Sequence, residues 1–234
     1  MNTKLFAFVL LTISQITFSY DLDARFIRNN DKNVDQVSGI FLRDTWWSRP
    51  YEYAWAMQFA EENMVVLDAA CGISHPFKWY LAEKCSHVWA CDTDKRICSI
   101  SKIIQETFDD LGHSAKTSLC LKDDIFSKIN LVCASILRLP QYMPLFDRIF
   151  CISTLEHLSS LDRKKTLQEF KKFLAPDGFI VLTVDYPVIT PEVLASCCNE
   201  IGLRMLGNVE FGFPSEQALT SQGLHVYRCV LTHK

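Results

Sequence analysis

Apolar runs alternate with helix-length amphipathic stretches along most of the chain, and this alternation constrains the fold more than any other feature. The strand-like runs lie at 64–68, 87–91, 130–134, 147–152 and 178–184, and the helical patterns lie near 76–84, 94–111 and 161–174. Strands that alternate with helices form a parallel sheet with helices on both faces. Two more strand candidates, near 204–211 and 224–232, have no helical pattern between them, so we expect antiparallel pairing there.

These patterns predict a doubly wound α/β fold. Its sheet is mostly parallel and seven-stranded, with an antiparallel C-terminal edge strand. The segment "LAPDGFIVLTV" marks one boundary, since a helix ends there, Pro176, Asp177 and Gly178 turn the chain, and a buried strand begins.

The residues before the first strand differ in character. Residues 1–19 have an early lysine, an apolar stretch and a small-x-small end, which predicts a signal peptide or, alternatively, an apolar N-terminal helix. They are too short and too polar for a stable membrane span. Residues 20–62 contain "DTWWSRPYEYAWAMQFAEEN" and predict an aromatic-rich N-terminal cap that ends in a helix. Its aromatic side chains either pack the cap onto the domain or line a substrate pocket.

The net charge and the placement of the cysteines indicate which ligands and which cellular compartment suit the chain. The formal net charge of -3 argues against non-specific binding to nucleic acid, which needs a basic surface. Of the ten cysteines, several lie in or beside apolar runs and none forms a CxxC pair, so we expect neither a disulfide framework nor a metal site. This usage favours a reducing compartment. We therefore expect a cytoplasmic protein, with the secretory pathway as the alternative if residues 1–19 are a signal peptide.

The segment "VVLDAACGISHPF" at 65–77 predicts a ligand site. Asp68 stands at the carboxyl end of the first parallel strand, where open α/β sheets bind their ligands. Small residues around Gly72 let a ligand approach the backbone closely, and a helix begins near Pro76. Asp92 ends the next strand, 24 positions later, a spacing at which a carboxylate accepts both ribose hydroxyls of a nucleoside.

Two classes of cofactor use a site of this kind. Dinucleotide-binding enzymes place GxGxxG directly after the strand, and the chain has no such motif. An aspartate before the loop repels a pyrophosphate, whereas it attracts a cofactor with a cationic amino-acid end.

Five segments in order resemble the class I S-adenosylmethionine-dependent methyltransferases. "VVLDAACGIS" is similar to their first motif, "VWACDTD" to the acidic end of strand two, and "VCASILRLP" to the stretch that flanks the adenine. "FDRIFCISTLEHL" and "FLAPDGFIVLTVDYP" resemble the segments of strands four and five. The resemblance covers about residues 45–234 and implies that 63–234 form a methyltransferase domain that binds S-adenosylmethionine.

The resemblance also implies which residues hold the cofactor. The expected cofactor-binding residues are Asp68, Ala70, Cys71, Gly72, Ser74, Asp92, Thr93, Ala134, Ser135, Cys151 and, from the cap, Arg49. Three positions depart from the family pattern. Ala70 and Ser74 replace motif glycines, and Ser135 stands where an acidic residue is common. These departures leave open a degenerate binding module that has lost catalysis.

The expected reaction is methyl transfer to a small-molecule acceptor. Proximity and orientation supply most of the catalysis, and a base near the acceptor adds to it. The candidate bases follow strands four and five. They are His157, which is the first choice because histidine titrates near neutral pH, together with Glu156, Asp185 and Tyr186. We interpret His75 as a residue at a helix start. A nicotinamide-dependent reductase is the third alternative, and the sequence does not define the oligomeric state.

Overall fold

The computed structural model describes residues 20–120 and 125–234. Its α-helices are α1 (Arg49–Ala56), α2 (Phe77–Lys84), α3 (Ile100–Leu111), α4 (His113–Cys120), α5 (Ser160–Phe173) and α6 (Pro191–Ile201). Its strands are β1 (Arg25–Phe26), β2 (Gln36–Val37), β3 (Ile40–Phe41), β4 (Val65–Ala69), β5 (His87–Asp92), β6 (Ile129–Cys133), β7 (Phe146–Ile152), β8 (Leu174–Tyr186), β9 (Leu203–Met205), β10 (Thr220–Ser221) and β11 (Leu224–His233).

The main sheet confirms the predicted fold class. The strands β6, β5, β4, β7 and β8 lie side by side in that order, with every pairing parallel, and β11 joins β8 antiparallel. The other edge of β11 is covered in turn by the short strands β10, β1 and β9. Within the described residues the sheet therefore has nine strands but seven strand positions, because three short strands share the last position.

Helices cover both faces of the sheet because strand side chains alternate between the faces. On one face, Leu67, Ile149 and Leu182 pack in a buried cluster with residues of α5 and α6. On the other face, Val66 and Phe150 belong to a second buried cluster that includes residues of α1, α2, α3 and α4. The parallel strands are thus buried on both sides, which explains their nearly continuous apolar runs.

The structure refines several predicted elements. The predicted helix at 94–111 is divided, because a 3₁₀ helix at Lys95–Cys98 precedes α3. The strand expected near 204–211 is reduced to β9. The turn at 176–178 lies inside β8 as a bulge, since the pairing register skips from Leu174 to Phe179. The helices α4 and α6 had no counterpart in the sequence prediction.

The N-terminal segment packs on the sheet and also adds a strand to its edge. It contributes β1, and its Arg25 forms a 2.8 Å ion pair with Asp31. Asp21 contacts Arg228 of β11, which fixes the start of the described chain on the sheet edge. The predicted signal peptide at 1–19 lies outside the described residues. Among the described residues, no helix is long and apolar enough to cross a membrane.

Candidate active site

The turn after β4 brings the backbone close to the carboxyl ends of the parallel strands. Ala70 and Gly72 adopt left-handed φ angles of 56° and 62°. A Cβ atom added at Gly72 would lie 2.6 Å from Cδ2 of His75, so the turn needs glycine for both its conformation and its space. Ala70 keeps the conformation of a glycine position despite its side chain.

Asp92 organises this turn from the end of β5. One carboxylate oxygen accepts the N–H of Gly72 at 2.9 Å, and the other accepts the N–H of Asp94 at 3.0 Å. Because each oxygen of a carboxylate can accept two hydrogen bonds, Asp92 retains capacity for donors of a ligand.

Asp68 is buried at the end of β4 with unused hydrogen-bonding capacity. Its side chain is 4% exposed, and its Oδ2 atom has no hydrogen-bond partner among the described residues. Burial raises the pKa of Asp68 to about 7, the charge of Lys78 opposes that rise, and the Asp92 carboxylate adds to it. A buried, unpaired carboxyl group is costly, and a cationic donor in the adjacent space would satisfy it.

Ser74, which stands at a family glycine position, fixes the turn to a neighbouring helix. Its hydroxyl donates a 2.7 Å hydrogen bond to Oδ2 of Asp110 in α3. The other carboxylate oxygen of Asp110 contacts Arg43 of the N-terminal segment. The serine therefore connects the turn, α3 and the cap, which gives this departure from the glycine pattern a structural role.

A cavity of about 220 Å³ lies beside the turn. It is lined by Arg49, Tyr53, Asp68, Ala70, Cys71, Gly72, His75, Phe77, Ile152, Ser153, Thr154 and His157. We call it the turn cavity. Its walls come from the cap, from the turn after β4 and from the end of β7, so it lies at the point where the strand order reverses.

A second cavity of about 250 Å³ adjoins the turn cavity under the cap. It is lined by Thr45, Trp46, Trp47, Ser48, Arg49, His75, Ser153, Glu156, His157 and Asp185. We call it the cap cavity. Arg49, His75, Ser153 and His157 line both cavities, so the two spaces meet at these side chains.

His75 is held rigidly where the cavities meet. Its ring stacks on Trp46 with 4.3 Å between centroids, and its Nδ1 shares a 2.8 Å hydrogen bond with the hydroxyl of Tyr53. Burial, together with the charges of Arg49 and Lys78, lowers the pKa of His75 to about 3. The imidazole is therefore neutral at physiological pH. His75 precedes α2, as we predicted, and it also lines both cavities.

Arg49 is paired with a fully buried carboxylate. Its Nη1 donates hydrogen bonds of 2.7 and 2.9 Å to the two oxygens of Glu52. Glu52 also accepts the hydroxyls of Ser153 and Thr183, each at 2.7 Å. Burial alone would raise the pKa of Glu52, but Arg49 and the hydroxyl donors hold it below its ordinary value.

The cap cavity also holds a buried carboxyl group without partners. Glu156 is 7% exposed, and neither of its carboxylate oxygens has a hydrogen-bond partner among the described residues. Burial and the carboxylates of Asp185 and Glu52 raise the pKa of Glu156 to about 8, against the opposing effects of its own backbone N–H and of Arg49. Burial and the Glu52 charge also raise the pKa of Asp185. The neighbouring His157 is exposed at the mouth of both cavities.

The remaining predicted residues lie outside the two cavities. Thr93 is exposed after β5, and the N–H of Ala134 donates to the carbonyl of Asp92 at 2.9 Å, so both adjoin the predicted ribose site. Ser135 accepts the N–H of Leu137. Cys151 is fully buried in the cluster shared with α5 and α6, and Tyr186 packs on Phe26 with centroids 5.3 Å apart. The cofactor role of Cys151 and the catalytic role of Tyr186 stay predictions that neither cavity supports.

Several residues of the site were missed from sequence. Glu52 and Ser153 were not selected, and neither was Lys78, which is fully buried on α2 and donates to the carbonyl of Ile73. The only available signal was a lysine within the apolar pattern of α2. Glu52 carried no signal, because its hydroxyl partners lie 101 and 131 positions away in sequence. Tyr53 is one of the cap aromatics for which the sequence left a pocket-lining role open, and it lines the turn cavity.

The described part of the chain has neither a cluster of metal ligands nor a disulfide. It contains no group of three or more His, Cys, Asp or Glu side chains that could hold a metal ion. Each of the nine cysteines whose side chains are described is a free thiol.

The order of the parallel strands and the helices on both faces match a Rossmann-like methyltransferase fold. Residues 67–182 match the protein family described as "Methyltransferase domain". No curated protein shows significant sequence similarity to the chain. The matched segment is similar to the class I S-adenosylmethionine-dependent methyltransferases, and the similarity supports S-adenosylmethionine as the cofactor.

Solved structures of other proteins share the fold. A TehB-like SAM-dependent methyltransferase from Corynebacterium glutamicum is 19% identical with a TM-score of 0.52, and the match covers 78% of this chain and 87% of that one. The N-methyltransferase NodS from Bradyrhizobium japonicum is 17% identical with a TM-score of 0.53, covering 82% and 100%. Magnesium protoporphyrin IX methyltransferase from Synechocystis, solved with bound SAM, is 12% identical with a TM-score of 0.53, covering 78% and 76%.

Proposed function

We propose that the chain transfers a methyl group from S-adenosylmethionine to a small-molecule acceptor, with the cofactor's methionine end in the turn cavity and the acceptor in the cap cavity. The observation that carries this proposal is that the two cavities adjoin at four shared side chains. A methyltransferase needs such an arrangement, because donor and acceptor must meet in line with water excluded.

The turn cavity suits the cofactor. The unpartnered Oδ2 of Asp68 is a ready acceptor for the cofactor's ammonium group. Gly72 leaves its backbone open to close approach, and Asp92, followed by Thr93, supplies a carboxylate for the ribose hydroxyls. Ala134 and Ser135 would adjoin the adenine end, and Arg49 would face the cofactor carboxylate from the cap, although Glu52 already neutralises the charge of Arg49.

A small acceptor is favoured by the size and cover of the cap cavity. At about 250 Å³ it has room for a group of roughly ten heavy atoms, and the tryptophans of the cap form part of its wall. The acidic net charge of the chain disfavours a nucleic-acid acceptor.

The chain's own residues position the reactants and handle the acceptor's proton. Bound S-adenosylmethionine supplies an activated methyl group on sulfur. His75 is neutral and fixed by Trp46 and Tyr53, so it forms a rigid part of the wall where the two cavities meet. Glu156, His157 and Asp185 line the cap cavity and are the candidate groups for accepting a proton from the acceptor.

Calorimetry with S-adenosylhomocysteine tests the cofactor site. Asp92→Ala removes a carboxylate from the ribose site, so we expect affinity to fall by at least ~1.5 kcal/mol, or about tenfold. Glu216→Gln changes an exposed carboxylate elsewhere and serves as the matched control. Unchanged affinity in the folded Asp92→Ala protein would contradict the ribose assignment, and absence of binding to the wild-type chain would overturn the proposed function.

A labelled-methyl assay distinguishes the enzyme from a binding module that has lost catalysis. The purified chain is incubated with methyl-labelled S-adenosylmethionine and a small-molecule extract, and label in a new compound supports the enzyme. Binding of the cofactor without transfer to any extract compound would favour the binding module. Retention on immobilised NAD but not on immobilised S-adenosylhomocysteine would instead favour the nicotinamide-dependent reductase.

A further inference from the structure

We propose that the methyl acceptor is a small primary or secondary amine, which enters the cap cavity as an ammonium ion and transfers one proton to the carboxylate of Glu156. This inference rests on the proposed function and specifies its substrate class. It is carried by the composition of the cap cavity, which combines acidic and aromatic side chains around one buried, unpartnered carboxyl group.

Glu156 is the central observation. It is more than nine-tenths buried, lines the cap cavity, and leaves both carboxylate oxygens without a partner among the described residues. Burying such a group costs free energy unless a ligand provides hydrogen-bond donors. An ammonium ion supplies up to three donors together with the opposite charge, which is the best available match.

The charges around the cavity also favour a cation. Arg49 is the lining residue with a permanent positive charge, and the fully buried Glu52 neutralises it through two hydrogen bonds. His75 is uncharged at neutral pH, because burial lowers its pKa. Asp185 places a second carboxyl group in the wall, and His157 faces it from the mouth. An acceptor that carries a carboxylate or a phosphate would be repelled.

The aromatic part of the wall points to the same ligand. Trp46 and Trp47 both line the cap cavity, and Trp46 is fixed by its stacking on His75. Tryptophan rings attract ammonium ions through their electron-rich faces and also pack against flat apolar groups. The cavity therefore suits an amine on a small aromatic or apolar group.

The proposed step balances in protons and electrons. The bound ammonium ion favours the ionised form of Glu156, which releases its own proton to solvent when the ammonium ion enters. The ammonium ion then gives one proton to the Glu156 carboxylate, which leaves a neutral amine with a free lone pair on nitrogen. The nitrogen lone pair forms the N–C bond to the methyl group while the C–S bond breaks, and the bond electrons stay on sulfur as a neutral thioether. The product is a methylated ammonium ion and a protonated Glu156. The raised pKa of the Glu156 carboxyl group lies closer to the pKa of an ammonium ion, so the proton transfer between them is less unfavourable.

Matched probes test this inference on the whole protein saturated with S-adenosylhomocysteine. Benzylamine and benzyl alcohol have nearly the same shape and differ in charge, and benzoate supplies the opposite charge. We expect calorimetry to show benzylamine bound at least tenfold more tightly than benzyl alcohol, and no binding of benzoate. We also expect labelled methyl transfer from S-adenosylmethionine to benzylamine and none to the alcohol.

Two variants of the cap cavity and one control show whether benzylamine binds at Glu156. Glu156→Gln keeps the size of the side chain, so we expect benzylamine affinity to fall at least tenfold while affinity for S-adenosylhomocysteine is unchanged. Glu216→Gln should change neither value. Asp185→Asn should weaken benzylamine binding by a smaller factor, which provides a second test if Glu156→Gln fails to fold.

The outcomes separate this inference from the proposed function. Equal affinity for the amine and the alcohol, tighter binding of the alcohol, or no binding of either overturns the amine assignment, while binding of S-adenosylhomocysteine still supports the methyltransferase. Full benzylamine affinity in folded Glu156→Gln also overturns the assignment. Failure to bind S-adenosylhomocysteine overturns both.

Discussion

Single residues of the turn after β4 determine whether a cofactor can approach the backbone. Gly72 combines a left-handed φ angle with a position where a Cβ atom would enter the ring of His75. The requirement for glycine is therefore both conformational and steric, and the two contributions can be measured separately.

We expect Gly72→Ala to lower affinity for S-adenosylhomocysteine by at least tenfold and to destabilise the fold by about 1–2 kcal/mol, the cost of a left-handed L-residue. Gly223→Ala is the matched control, because Gly223 also has a positive φ angle but nothing lies within 4 Å of its added Cβ. The control should lose only this conformational contribution and no affinity, and the clash with His75 should add to the destabilisation of Gly72→Ala. Calorimetry and urea denaturation measure both quantities, and equal affinities in the two variants would refute the steric role of His75.

Helix α1 contributes Arg49 to the walls of both cavities, so both depend on how this helix is attached to the sheet. Its Glu52 reaches the end of β7 through Ser153 and reaches β8 through Thr183. A buried carboxylate with three partners anchors the cap, and its removal would leave Arg49 without its counter-charge.

We therefore expect Glu52→Gln to destabilise the protein by about 3 kcal/mol, and Thr183→Val, which removes a single hydrogen bond, by about 1 kcal/mol. The folded-state pKa of Glu52 is lowered, so its stabilisation is present above its unfolded pKa near 4.5 and is lost as the pH falls through the folded value. Urea denaturation should thus show a shallower loss of stability in acid for Glu52→Gln. Equal destabilisation by the two variants would contradict this anchoring role.

The same elements show what the sequence could and could not predict. The buried parallel strands were predictable, because each one is a short apolar run bounded by turn residues. Helix α6 had usable signals that were not applied, namely Thr190 as N-cap, Pro191 in the first turn and a left-handed Gly202 after the end. The position of the cap was not predictable, because it depends on contacts of Glu52 that local patterns do not encode. Asp68 could be placed at a strand end, but its missing hydrogen-bond partner could not.

At the scale of the whole molecule, the site reduces the stability of the free protein. Asp68 and Glu156 are both buried in an otherwise well-packed fold, and burial raises their pKa values to about 7 and about 8. Such groups are retained where a ligand needs them, and a bound ligand then restores part of the lost stability.

This leads to a prediction about pH. In the unfolded chain the two carboxyl groups lose their protons near 3.8 and 4.5, whereas the folded chain keeps them to about pH 7 and 8. Unfolding therefore releases protons in this range, so the free energy of unfolding should fall as the pH rises from 5.5 to 8.5. The cofactor's ammonium group favours ionised Asp68, so the increase in Tm caused by S-adenosylhomocysteine should grow between pH 6 and pH 8.

Thermal denaturation with and without S-adenosylhomocysteine measures both slopes. Asp68→Asn cannot ionise, so it should flatten the pH dependence of the ligand effect, whereas Glu216→Gln should leave it unchanged. Glu156→Gln should reduce the fall in stability of the free protein towards pH 8.5 without altering the ligand effect. A ligand effect independent of pH in the wild-type chain would place the cofactor's ammonium group away from Asp68, because only a contact with that carboxyl group links binding to its ionisation.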